Sequence, residues 1–136
     1  QDWDSQLSEF LPKQLLISQS KPGIIRAWHR HRRNQIDFLF VRKGILKICA
    51  YDGDDSSKTC GQLVEIIISA TSPQIIKIPG HLWHGTKNVG NETSETIYFI
   101  NNLYDYENPD EERKEWNRIK QHSIARNRRE LRIEYE

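Results

Sequence analysis

From residue 23 onward, apolar and polar positions alternate in short runs, each ended by turn-forming residues. The runs are Ile24–His31, Ile36–Arg42, Ile45–Tyr51, Leu63–Ser69, Gln74–Ile78, Gly85–Val89 and Thr96–Asn101. Between them lie Arg42-Lys43-Gly44, Asp52-Gly53-Asp54-Asp55, Ser72-Pro73, Pro79-Gly80 and Gly90-Asn91. A period of two, broken this often, predicts half-buried strands. No crossover helix fits among these runs before residue 108, so an antiparallel all-β sandwich or barrel is expected rather than a βαβ sheet. Residues 1–22 read as an irregular or extended N-terminal arm, with Phe10-Leu11-Pro12 and Leu15-Leu16-Ile17 as apolar anchors. After Asn108-Pro109 the pattern changes. "DEERKEWNRIKQHSIARNRREL" lacks Gly and Pro, opens on acids and carries Trp116, Ile119 and Ile124 as a thin apolar stripe. That predicts a C-terminal helix capping the barrel, then a basic tail. The expected organisation is an arm over 1–22, a barrel over 23–107, and a helix with tail over 108–136.

Composition narrows the class. At 136 residues there is material for one core. A net charge of +1 makes neither nucleic acid nor an anionic membrane the default partner. No apolar stretch is long enough to span a bilayer, and no charged-then-apolar leader is visible. Cys49 and Cys60 lack metal-type spacing and read as reduced thiols, so a cytoplasmic location is expected.

Candidate chemistry concentrates in "GIIRAWHRHRRNQIDFLFVRKG", residues 23–44. Two histidines one residue apart stand in a dense arginine run, just ahead of an apolar run seeded with Asp37. The pattern is Gly23, five residues, His29-x-His31, a short gap, Asp37, six residues, Gly44. A second cluster, "IPGHLWHGTKN", turns at Pro79-Gly80 and presents His84 four residues before Asn88. In this order the two resemble the paired motifs of the cupin superfamily, small jelly-roll β-barrels, with Asp in place of the usual Glu. Alternation puts Ala27, His29 and His31 on one face of a strand and Trp28 and Arg30 on the other. In a barrel closed as in cupins, His29, His31, Asp37 and His84 would point into one cavity. Three imidazoles and a carboxylate can hold a divalent transition metal such as Fe, Mn, Ni or Zn. The same groups without metal can act as a base, its orienting partner and an electrostatic lining.

A closer resemblance is to nucleotide-sugar cupins, in particular the dTDP-4-dehydrorhamnose 3,5-epimerase family. Its Arg-Gly-Leu-His element is matched by Arg26 and His29, its Gln-x-Lys by Gln35, and its Ser-Pro-Thr-x-Gly loop by Thr59 and Gly61. Its Ile-Pro-x-Gly-x-x-His-Gly turn is matched by His84-Gly85, its catalytic tyrosine by Tyr98 and a second site tyrosine by Tyr104. There are three departures. Asp37 stands at the family's lysine position, the downstream Asp that pairs with the catalytic His has no match, and His31 resembles instead the related dTDP-sugar 3,4-ketoisomerases. The resemblance implies an isomerase of polysaccharide biosynthesis that transfers a proton next to the ketone of a dTDP-4-keto-6-deoxy sugar, without a required cofactor. His29 would be the base, tuned by His31 or Asp37, and Tyr98 the acid. Arg26, Gln35, His84 and Tyr104 would bind substrate. A homodimer is implied, with residues 3–17 as an arm on the neighbour's sheet. The alternatives are a metal-dependent oxygenase or isomerase ligated by His29, His31, Asp37 and His84, and a non-catalytic sugar-binding cupin. Strict alternation would set Arg26 opposite His29, so a bulge or a rim position is required. Arg30, Arg32 and Arg33 read as a solvated loop. Trp28, Trp83 and Tyr104 read as core or rim aromatics able to stack on a base or sugar.

Overall fold

A computed structural model describes residues 10–117 and the backbone of residues 134 and 135. Its strands are β1 (Gln14–Ser20), β2 (Ile25–Arg30), β3 (Ile36–Lys43), β4 (Ile45–Tyr51) and β5 (Leu63–Ser69), then β6 (Ile75–Pro79), β7 (Trp83–Asn88), β8 (Ser94–Ile100), β9 (Glu112–Arg113) and β10 (Glu134–Tyr135). Every pairing is antiparallel. One sheet runs β1-β8-β3-β6-β10 and the other β5-β4-β7-β2-β9. Strands β1 to β8 thus form two four-stranded sheets, β1-β8-β3-β6 and β5-β4-β7-β2, in jelly-roll order, with β9 and β10 added at the edges.

Alternation decides what lies between the sheets. Leu39 and Val41 of β3, Leu46, Ile48 and Ala50 of β4, Ile68 of β5 and Ile76 and Ile78 of β6 form one buried cluster closed by Leu82. Their β-branched and aliphatic side chains suit a pleated surface buried on one face. The chain crosses from β3 in one sheet to β4 in the other at Gly44, whose φ of 80° is open to glycine at little cost.

β4 and β5 have the bounds the pattern predicts. β7 starts at Trp83 rather than Gly85, because His84 pairs with His29 on one side and Ala50 on the other. The arm is extended over β1, which pairs with β8 of its own chain along its whole length. The expected C-terminal helix is corrected where the residues are described. Glu112 and Arg113 form β9 beside β2, and there is no helix among the described residues. The acids that suggested a helix N-terminus are consumed by the arginine run instead: Glu112 pairs with Arg30 and Arg32, and Asp110 accepts the backbone N–H groups of Arg32 and Arg33. Tertiary partners override a local preference worth only tenths of a kcal/mol per residue. The rest of that expected helix lies outside the described residues.

Candidate active site

The first local question is how Arg26 and His29, three residues apart, come to share a cavity. Arg26 faces Thr86 and His29 faces His84, so Ala27 and Trp28 together stand opposite Gly85 alone. This two-against-one bulge reverses the parity of β2 and brings both side chains inward. The partner must be glycine: a Cβ on residue 85 would lie 2.4 Å from the Ala27 Cβ and 2.8 Å from the Arg26 carbonyl oxygen. The required bulge is therefore present.

His29, His31 and His84 come together, each with a ring nitrogen inside a set whose members are all within 4.8 Å of one another. The rings of His29 and His84 are 4.2 Å apart and edge-on. Two of the three have a defined tautomer. His84 Nδ1 lies 2.8 Å from the Leu82 carbonyl oxygen, and His31 Nδ1 lies 2.6 Å from that of Asp110. A carbonyl only accepts, so both Nδ1 atoms carry the proton and both Nε2 atoms present a lone pair inward. These face Asp37 Oδ2, at 3.8 Å from His84 and 4.0 Å from His31. Both gaps exceed hydrogen-bond length, and the buried His84 Nε2 has no partner. Asp37 Oδ1 accepts the Gln35 side-chain N–H at 2.8 Å. Asp37, His31 and His84 are buried, at 4%, 8% and 3% exposure.

The electrostatics follow from burial. His29 is pulled down to about 2, by desolvation first and then by His84, His31 and Arg113. His84 is lowered too, chiefly by desolvation. The Tyr98 phenol is pushed up to about 12, by desolvation first and then by the Asp37 charge. At neutral pH His29 and His84 are therefore neutral, and Tyr98 keeps its phenolic proton.

These groups line a cavity of about 610 Å³ shared by Arg26, His29, His31, Gln35, Asp37, Tyr98 and Tyr104. The volume suits a small-molecule ligand. His84 stands directly behind it, against His29. All eight sequence-selected site residues therefore belong to one place. Arg26 is held by Ser20 Oγ and the Gln19 carbonyl, each at 3.0 Å.

Residues 7–112 match the family described as Polysaccharide biosynthesis C-terminal domain. The chain belongs to that family. As a polysaccharide-biosynthesis C-terminal domain it is 45% identical, over 112 residues, to the probable low-salt glycan biosynthesis epimerase Agl13 of Haloferax volcanii, covering 82% of this chain and 70% of the relative. It is 33% identical over 99 residues to the spore coat polysaccharide biosynthesis protein SpsL of Bacillus subtilis, covering 73% of this chain and 65% of that one. Among solved structures it resembles dTDP-4-dehydrorhamnose 3,5-epimerase from Elizabethkingia anophelis, with a TM-score of 0.68 and 25% identity over 79% of this chain and 58% of that one. The domain thus has the sugar-epimerase cupin fold.

Other matched positions of the domain lie elsewhere. Thr59 donates its hydroxyl to Asp52, as Ser57 does, inside the β4–β5 loop. Trp83 carries the Arg30 guanidinium at 4.5 Å and the Lys114 ammonium at 4.4 Å over its ring. Trp28 donates its indole N–H to the Trp116 carbonyl. Burial lifts the Cys49 thiol to about 12, which leaves it unreactive. Sequence reasoning missed Asp110 and Glu111, which line the cavity from the segment taken for a helix. A usable signal existed: an Asn-Pro-Asp turn and three acids, Asp110, Glu111 and Glu112, that could answer the arginines of residues 26–33.

Proposed function

We propose that this chain is a sugar epimerase of glycan or polysaccharide biosynthesis that moves a proton beside the ketone of a dTDP-4-keto-6-deoxy sugar. The relatives support an epimerase-type isomerase. The observation that carries the proton-transfer reading is the convergence of neutral His29 and protonated Tyr98 on one cavity with Arg26.

His29 takes the proton from the carbon next to the ketone. The burial that keeps it neutral also lowers its basicity. A substrate diphosphate and the enolate charge developing beside it restore that basicity, because a nearby anion favours the imidazolium. Tyr98 holds its proton at neutral pH and returns it on the opposite face. Arg26 offers a planar, bidentate donor to the diphosphate. Gln35 fixes Asp37, and Asp37 with His31 sets the field around His29. Tyr104 bounds the space the sugar occupies, and His84 backs His29. Incubation with a dTDP-4-keto-6-deoxy sugar in deuterated water tests this. Deuterium at carbon 3 or carbon 5, read by NMR, is expected, and no exchange at either carbon would remove the reading.

A second reading, metal-assisted catalysis of the same class, is favoured by a specific observation. Two imidazoles are locked with Nδ1 protonated and Nε2 aimed inward, that of His84 without a hydrogen-bond partner, beside the Asp37 Oδ2 atom. A protonated Nδ1 on a carbonyl is the arrangement that orients histidine as a ligand. His29, His31 and His84, with Asp37 adjacent, fit a divalent Fe, Mn, Ni or Zn ion. A bound ion would supply Lewis-acid polarisation of the ketone oxygen. Elemental analysis of untagged protein decides: a stoichiometric metal lost in His31→Ala supports it, and metal-free protein with full turnover opposes it.

The proposed assembly is a homodimer. β1 is an edge strand, and its outward Leu15 and Ile17 are 53% and 61% exposed beside Phe99. Sedimentation at micromolar concentration is expected to give twice the chain mass, and Ile17→Lys to give the monomer.

A further inference from the structure

The arginine run around the two histidines has a use that does not involve substrate. Residues 108–116 form a strap across the outer edge of β2. Its backbone joins β2 through β9 and through a reciprocal pair with Trp28, whose N–H donates to the Lys114 carbonyl at 2.8 Å and whose carbonyl accepts the Lys114 N–H at 2.9 Å. Arg30 and Arg32 hold Glu112, at 2.5 and 2.7 Å. Arg33 donates to the Asn108 carbonyl at 2.9 Å. Arg30 and Lys114 both stack over the Trp83 ring. Each arginine of the run is thus fastened to the strap or to what lies beneath it.

The strap lines the cavity with Asp110 and Glu111, and touches His31 through Asp110. Asp110 presents its backbone carbonyl to His31 Nδ1 at 2.6 Å. Its carboxylate oxygens separately accept the N–H groups of Arg32 and Arg33, both at 2.9 Å. The residues just after His31 therefore grip the Asp110 side chain while the His31 ring grips its main chain. A carbonyl held at both ends this way has one orientation relative to the ring, and the tautomer follows from it.

We propose that Asp110 is a positioning residue for His31: its carbonyl fixes the proton on Nδ1, and its carboxylate, clamped by two backbone N–H groups, keeps that carbonyl in place so that the Nε2 lone pair faces the cavity. A change at Asp110 would then let the ring turn or exchange its proton, with the strap still attached through Glu112 and Lys114. The kinetic consequence rests on the proposed function, but the tautomer does not.

The test uses the full chain labelled with ¹⁵N at histidine, with long-range proton–nitrogen spectra assigning each ring and His31→Gln identifying the His31 signals. Wild-type protein is expected to show His31 purely as the Nδ1–H form. Asp110→Ala is expected to give a mixture of tautomers and a fall in kcat of roughly 10–100-fold, as for other residues that orient a functional histidine, with KM within about threefold. Glu112→Gln weakens the strap's ion pairs and leaves the carbonyl contact, so the wild-type tautomer and kcat within about twofold are expected. An unchanged His31 signal with full kcat in Asp110→Ala would overturn the proposal. So would an equal effect of Glu112→Gln, which would make the strap a general support. Should Asp110→Ala not fold, Asp110→Asn, which keeps one acceptor oxygen, decides: a shifted His31 signal upholds the proposal and a wild-type signal overturns it. Wild-type protein that turns over no keto sugar would remove the proposed function, while the His31 signals would still decide the role of Asp110.

Discussion

The two halves of the jelly roll obey the same alternation and reach opposite outcomes. On the β3–β4–β5–β6 side the inward positions are Leu39, Val41, Leu46, Ile48, Ala50, Ile68, Ile76 and Ile78, and the space between the sheets is filled. On the β1–β2–β7–β8 side they include Ser18, Arg26, His29, Thr86 and Tyr98, and the sheets stand apart around a cavity. Asp37 sits at the boundary, two residues before Leu39 on the same face of β3. The filled half supplies the stability, because apolar burial is worth about 25 cal/mol per Å². The open half spends part of it on desolvated imidazoles and an unpartnered nitrogen. One end of the open half closes without a ligand: Asn88 donates to the Ser20 and Glu92 carbonyls, satisfying groups that would otherwise be orphans.

Substitutions matched across the two halves sharpen that contrast. The largest effect is expected at His29. His29→Ala should slow proton exchange by about 10²–10⁴-fold, the usual worth of a general base, without loss of melting temperature. In the filled half the sign reverses. Ile48→Ala should cost about 2–5 kcal/mol in a urea titration, with kcat unchanged under conditions where the fold persists. Gly85→Ala couples both properties, because its Cβ would collide with Ala27 and undo the bulge that turns Arg26 inward. A loss of about 1–3 kcal/mol is expected, together with a raised KM.

Acid separates the halves by titration. The native His29 pKa of about 2 lies below its ordinary 6.5, so between those values the unfolded chain binds the extra proton. Stability should therefore fall as pH drops below about 6.5, with a slope approaching 1.4 kcal/mol per pH unit from this group. His84, shifted the same way, adds to it. Chelator-treated protein melted from pH 7 to pH 4 reads the slope, and His29→Ala should flatten it. The smallest effect belongs to Leu16→Ala on the cavity wall, where the side chain is already 42% exposed and a change within about 1 kcal/mol is expected.

The strands and the inward set of His29, His31, Asp37 and His84 were legible because period-two alternation carries both burial and facing. Arg26 was legible only as a conflict. Its resolution needed the count of two residues against Gly85, and that count depends on pairing between segments more than fifty residues apart. The segment after Pro109 was misread for a related reason. Its charges look helical in isolation, and their partners, Arg30, Arg32 and Arg33, lie about eighty residues upstream. The same distance hid Asp110 and Glu111 from the site. Arg32 and Arg33 are exposed in the loop after β2, as a solvated loop would have them, and Glu112 and Asp110 pair with them there.

Deuterium wash-in, measured side by side for wild type and His29→Ala on one keto-sugar substrate, tests the account most directly. Exchange at a carbon next to the ketone in the wild type, reduced at least about a hundredfold in the variant, is the expected result. Equal exchange by the two proteins, or none by either, would contradict it.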